Sequence, residues 1–239
     1  MEVHHHPNVE KKNFKEYFLE FLMIFLAVTM GFFAENIREH FEEKKMTREY
    51  LETFQQELEH NKKIFHDFDS LYAALIPMHD SITNLFFLKK ENDNLQTTAR
   101  LLVNVSGLIS PSIDVSAYQQ LVNSGGLRYI HNVSLKDSMA QYAGKIQYFE
   151  HYNSTSEAFS SSLLTQISSL TDIHDMAGFD HIPEIIPYPV LTERERRLLV
   201  SYYRENYIQT FGDKYLLKRL DSVNESLLKM VEEEINKLN

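Results

Sequence analysis

Residues 17–34 read YFLEFLMIFLAVTMGFFA, eighteen residues in which Glu20 is the one charge and Thr29 the other clearly polar side chain. As an α-helix rising 1.5 Å per residue this run is about 27 Å long, close to the roughly 30 Å hydrocarbon thickness of a bilayer. Aromatic, Leu, Ile and Met side chains point in every direction, so no polar face is left to meet water and a core helix fits poorly. A cleaved signal peptide is the competing reading. Cleavage after Ala34 would put Phe32 where a small residue is required, and no A-x-A pattern follows. The run therefore predicts a retained membrane helix. Glu20 lies near its N-terminal end, where a carboxylate reaches the interface and meets the positive end of the helix dipole.

Within that helix Ala27 and Gly31 form a small-x-x-x-small pair, with Ala34 beside them, which lets helix backbones approach closely in lipid. Lys11, Lys12 and Lys15 precede the run and Arg38, Lys44, Lys45 and Arg48 follow it, so basic residues barely discriminate its orientation. A short tail before the helix and a large body after it suit a signal anchor. The expectation is a cytoplasmic N-terminus and a periplasmic body.

Residues 35–50 carry charges of both signs without Gly or Pro, and Arg38 with Glu42 and Lys45 with Glu49 sit one turn apart. Such pairs support a solvated helix, so the anchor is expected to continue as a charged stalk. From residue 51 the apolar positions Leu51, Phe54, Leu58, Phe65, Phe68, Tyr72, Leu75, Ile82 and Phe86 alternate by threes and fours, with Asn61 and His79 in the two remaining seam positions. This is a heptad-like stripe that faces a core. Pro77 falls inside it without disturbing the register, which predicts a kink rather than an end. Asn61 and His79 are expected as hydrogen-bonded polar residues of that core.

Residues 92–190 are poor in charge and rich in serine. One helix is expected near 95–105 and another over 115–124, the latter capped by Asp114 and stopped by Ser124, Gly125 and Gly126. The next is expected from Ser134, with Asp137 as the capping partner, to about 176, with a break at 153–155. Residues 178–190 hold three prolines and read as the extended loop. Thr192 with Glu195 is a capping box opening a C-terminal helical region, with Leu216, Leu220, Val223, Leu227, Val231, Ile235 and Leu238 on one face and Gly212 as a dividing point. The whole chain, with only 7 Gly and 6 Pro in 239 residues, lacks the turn formers that sheets need. The expected fold is all-α: tail 1–16, transmembrane helix 17–34, stalk helix 35–50, and a bundle of five to six helices over 51–239.

Two stretches resemble a known family. FLEFLMIFLAVTMGFFAENIREH (18–40) followed by YLETFQQEL (50–58), and SAYQQLVNSGGLRYI (116–130), are similar to segments of a family of uncharacterised single-pass bacterial membrane proteins. In that family an N-terminal membrane helix runs into Glu-Asn and a charged helix, and a Tyr-x-x-Leu helix ends in Ser-Gly and resumes with Leu-Arg. The resemblance implies an inner-membrane anchor with an α-helical body in a Gram-negative envelope. It implies no reaction, and it transfers no catalytic residue.

Chemistry is sparse. The chain has no cysteine, which excludes disulfides, thiolate metal sites and a cysteine nucleophile. A net charge of −10 without clustered Lys or Arg argues against nucleic-acid binding. No phosphate-binding glycine motif and no G-x-S-x-G elbow occurs. Among the 11 histidines, Glu57 with His60 supplies only half of the Glu-x-x-His pattern of a ferritin-like centre, and the seam through Leu58 and Asn61 leaves both free to point away from the core. His174, Asp175, Asp180 and His181 around Gly178 are candidate ligands for a divalent ion, set against an ordinary polar helix end. His4, His5 and His6 resemble a short metal-binding tract but read more simply as a terminal tail. No cofactor is expected. The leading expectation is a non-enzymatic membrane-anchored interaction, scaffold or ligand-sensing module, partnered by the bilayer and by another protein or a second copy. An oligomeric pore or transport accessory lined by Glu20 and Thr29 is the alternative, and a metal-binding bundle a third.

Overall fold

A single helix, α1 (Phe14–Phe87), runs through anchor, stalk and seam without interruption for 74 residues, about 110 Å at 1.5 Å per residue. The computed structural model describes residues 13–93, 95–107, 111–170 and 190–238. After α1 come α2 (Leu95–Ser106), α3 (Ser116–Asn123), a short 3₁₀ turn over Gly126–Arg128, α4 (Val133–Leu170) and α5 (Glu193–Lys237). The described chain is all-helical.

The two halves of α1 live in different surroundings. Its first 33 residues expose their apolar side chains, Phe18, Phe21, Ile24, Phe25, Val28, Phe32 and Phe33 among them. The charged stretch keeps the expected pairs, with Arg38 on Glu42 at 2.8 Å and Lys45 on Glu49 at 3.8 Å, and adds Arg48 on Glu52 at 2.7 Å. Burial begins at Thr47, whose hydroxyl lies 3.0 Å from the Tyr129 carbonyl. From there Leu51, Phe54, Leu58, Asn61, Phe65, Tyr72, Leu75, His79, Ile82 and Phe86 are buried along one stripe, with Phe68 half-buried. Pro77 sits on the exposed side, and the helix continues through it.

The stripe closes within the same chain. Lys62 pairs with Glu225 at 2.9 Å, His79 meets Tyr203, and Arg196 reaches the Phe86 carbonyl, so α5 runs antiparallel to α1. Asn132 bonds Glu234, Tyr142 bonds Asn224 and Asn206 bonds Ser160, so α4 runs parallel to α1 and antiparallel to α5. These three helices form the bundle. α2 packs on the C-terminal end of α1 and on α4, α3 and the 3₁₀ turn pack on α1 around residues 50–61, and together they carry the crossover from α1 back to the start of α4.

Several local expectations change. α4 starts at Val133, beside the expected Ser134, but the cap comes from Asn132, whose side chain accepts the Leu135 amide at 3.1 Å, rather than from Ser134 with Asp137. No break occurs at 153–155, where Asn153 is buried in a continuous helix. Val115 is the residue preceding α3, and Asp114 serves it from outside by accepting the Ser116 amide at 2.9 Å. The Thr192–Glu195 capping box is present in both directions. Gly212 does not divide α5. A Cβ there would come within 2.0 Å of the Tyr152 hydroxyl and 2.7 Å of its ring, so this glycine lets α4 lie close against α5. Leu220, Leu227, Val231 and Ile235 face inward as expected, while at two heights the buried residues are Leu217 and Asn224, with Leu216 and Val223 half-buried beside them.

Candidate functional site

The bundle's core is interrupted at its middle. A lower cluster joins Leu51, Phe54, Leu58, Phe65, Phe149, Leu217 and Leu227, and an upper one joins Ile82, Phe86, Leu102, Leu163, Leu199 and Tyr203. Between them α4 turns Asn153, Ser156 and Ser160 inward and α5 turns Asn206, Thr210 and Asp213 inward, all buried. Spacings of three and four place each trio on one helix face. Ser160 accepts from the Asn206 amide at 2.9 Å, Ser156 lies 3.4 Å from Gln209, and Tyr152 sits against Gly212. That antiparallel register sets Asn153 opposite Asp213. Tyr72 of α1 faces the same carboxylate.

This polar waist is short of donors. Both oxygens of Asp213 and the Oδ1 atoms of Asn153 and Asn206 lack a hydrogen-bond partner among the described residues. A buried polar group left unmatched costs about 1–3 kcal/mol, more when charged. Burial pushes the Asp213 carboxyl up to about 7, the Ser156 hydroxyl opposes that shift, and Glu157 adds to it. His79 lies two turns beyond Tyr72 on α1, beside Tyr203 at 3.3 Å and ringed by Tyr207 and Phe211. Burial holds its imidazole down to about 4, so it stays neutral at ordinary pH.

Lower in the bundle a second polar layer is nearly complete. The Asn61 amide donates to the Asp114 carbonyl at 2.7 Å and to the Tyr142 hydroxyl at 3.2 Å, while its oxygen accepts the Asp114 amide at 2.9 Å. Tyr142 donates to Asn224 at 2.7 Å, and Asn224 donates to the Leu58 carbonyl at 2.9 Å. The network ties α1, α4, α5 and the segment before α3 in one register, so Asn61 is the hydrogen-bonded core residue its seam position predicts. Glu57 differs from expectation. It is buried, with Oε2 accepting the Ala117 amide and Oε1 unpartnered, and burial pushes it up to about 7. α3 covers that side of α1, which the stripe alone did not show. His60, by contrast, is exposed, so the pair makes no metal half-site.

At the upper end Arg196 bonds both the Glu91 carboxylate and, at 2.6 Å, the Phe86 carbonyl. Glu91 is almost wholly buried there. Asn92 accepts the Leu191 amide at 3.1 Å, so the start of α5 is clasped to the end of α1.

The other predicted positions are dispersed. Ala27, Gly31 and Ala34 are exposed on α1, and a Cβ on Gly31 would meet nothing within 4 Å. Ser124 ends α3, Gly125 adopts φ +70°, and a Cβ on Gly126 would come within 2.9 Å of the Tyr50 ring, so this segment is a turn packed on the seam. His174, Asp175, Asp180 and His181, like His4, His5 and His6, lie outside the described residues. Among those described, no group of three or more His, Asp and Glu side chains is placed to hold a metal ion. The polar waist escaped the sequence reading, although its signal was there. Asn206, Thr210 and Asp213 continue the i, i+4, i+7 line of Leu199, Tyr203, Leu217 and Leu220.

Comparison of the chain with protein-family models, curated proteins and solved structures finds no match.

Proposed function

We propose that this chain is a membrane-anchored, non-catalytic interaction module whose helical body is held off the bilayer by a rigid stalk. The observation that supports this is α1 itself, one helix that exposes an apolar run at one end and forms a bundle wall at the other. With residues 17–34 in the membrane, the first buried residue, Thr47, stands about 20 Å beyond the hydrocarbon. The anchor sits in a bacterial inner membrane, as the resemblance implies, with the body on its periplasmic side. A body so attached acts by contact, with another protein or with a second copy through the Ala27 and Gly31 face.

Leu26→Arg places a charge at the centre of the run, which costs about 2.5–3.5 kcal/mol on insertion. The parent chain is expected to float with liposomes and to resist alkaline extraction, while Leu26→Arg floats at most weakly with its circular dichroism retained. Equal flotation of both would remove the anchor reading. Gly31→Leu separates the two kinds of partner. If copies pack on the Ala27 and Gly31 face, the detergent-solubilised mass falls to that of one chain in the variant, whereas an unchanged mass directs the search to another protein.

A further inference from the structure

We propose that the polar waist binds a monovalent metal cation at the Asn153–Asp213 level, with the Asp213 carboxylate as the charged ligand and the side-chain oxygens of Asn153 and Ser156 completing a neutral cradle. Three observations carry this. First, the unmatched atoms at this level are all oxygen acceptors: both carboxylate oxygens of Asp213, which is 1% exposed, and Oδ1 of Asn153, which is 8% exposed. Acceptors of this hardness without donors suit a hard cation, since oxygen ligands select alkali and alkaline-earth ions over transition metals. Second, the charge is that of one carboxylate. No lysine, arginine or histidine among the described residues forms an ion pair with Asp213; the Ser156 hydroxyl and Glu157 of α4 act on it, and its charge acts in turn on Tyr72 of α1 and Tyr152 of α4. Glu157 is exposed to solvent. A monovalent ion leaves the buried site neutral, whereas a divalent ion would leave a net positive charge in the core, which is costly.

Third, the waist is built rather than accidental. The polar trios occupy α4 and α5 at matched heights, with apolar layers above and below, and Gly212 admits the close approach of Tyr152 beside Asp213. A hydrophobic residue at 153 or 213 would have continued the core. A proton is the competitor for the same carboxylate, so cation binding weakens as pH falls through neutrality. His79, about two turns above on α1, stays neutral and does not add charge to the site.

The test uses the full chain in detergent, followed by circular dichroism during heating at pH 8. Sodium or potassium chloride is raised from 5 to 500 mM, with choline chloride holding the ionic strength constant. A cation bound only by the folded state raises Tm by about 3–5 °C per tenfold increase above its dissociation constant. That slope is expected for at least one of the two ions, is expected to shrink at pH 5.5, and is expected to vanish in the near-isosteric Asp213→Asn. Ser156→Ala keeps the carboxylate and is expected to weaken the response without abolishing folding. A parent chain whose Tm is the same in sodium, potassium and choline overturns the proposal and leaves a proton and water as the only occupants. A slope that survives in Asp213→Asn, or one seen only with calcium or magnesium, overturns it equally.

Discussion

In choline buffer at pH 8, Asp213→Asn is expected to be more stable than the parent chain, by about 2–4 kcal/mol. The sign follows from proton linkage. Burial raises the folded-state pKa of Asp213 to about 7, well above its ordinary value of 3.8, so the folded state binds the proton more tightly. The stability this contributes is fully present below about pH 4 and is lost as pH rises toward about 7. Above that the parent holds a buried, unpaired carboxylate, which the amide of Asn replaces with a neutral group of the same shape. The gap between the two proteins should therefore open between pH 4 and 7 and be absent at pH 4. Urea midpoints at pH 4, 6 and 8, with an unchanged m-value, measure it. Glu57, also raised to about 7 by burial, adds a similar slope to both proteins and so cancels from their difference. An Asp213→Asn variant less stable than the parent at every pH would show that the carboxylate makes favourable bonds in the core, contrary to its unpartnered oxygens. Sodium or potassium should narrow the gap at pH 8, because a bound cation offsets the charge that the substitution removes.

Arg196→Met is expected to destabilise the chain by about 3–5 kcal/mol, the usual consequence of removing one member of a buried ion pair. Glu91 is 2% exposed and already has one oxygen without a partner, so loss of the guanidinium leaves an uncompensated charge beneath the clasp. The Phe86 carbonyl loses its donor as well. Replacing both partners, as Glu91→Leu with Arg196→Met, should recover most of the loss, because an apolar pair of similar volume carries no desolvation cost. Chemical denaturation of the two single variants and the double variant gives the coupling energy directly. A coupling below about 0.5 kcal/mol would mean that the clasp behaves as an exposed surface pair. Hydrogen exchange should show the effect first around Phe86, Leu191 and Leu199, where the clasp joins the ends of α1 and α5.

The contrast between these two sites shows which interactions a linear pattern reveals. Thr192 and Glu195 lie three residues apart, so their capping box depends only on local backbone geometry. The stalk pairs at i, i+4 are equally local. The seam from Leu51 to Phe86 was legible because a helix of constant pitch turns sequence spacing into a face, and Asn61 and His79 could be placed on it from register alone. Glu57 was missed for the opposite reason. Its burial depends on α3, sixty residues later, folding across that side of α1. The expected breaks at 153–155 and at Gly212 failed because tertiary packing overrode weak local propensity. Asn153 is held inside the bundle, and Gly212 is required by the Tyr152 side chain of another helix.

The sequence by itself determined that the chain is helical, that residues 17–34 form an apolar rod with no polar face, and that the rod continues into a stalk and a seam. Each of these rests on periodicity and on the scarcity of turn-forming residues, which act within a few positions of one another. Only the tertiary structure decided that the seam closes against α5 of the same chain, that α4 and α5 meet in register, and that their inward polar residues stack into a waist around Asp213. Those outcomes depend on how distant segments align. A helix pattern specifies which face is inward but leaves open which residues of another helix stand opposite it.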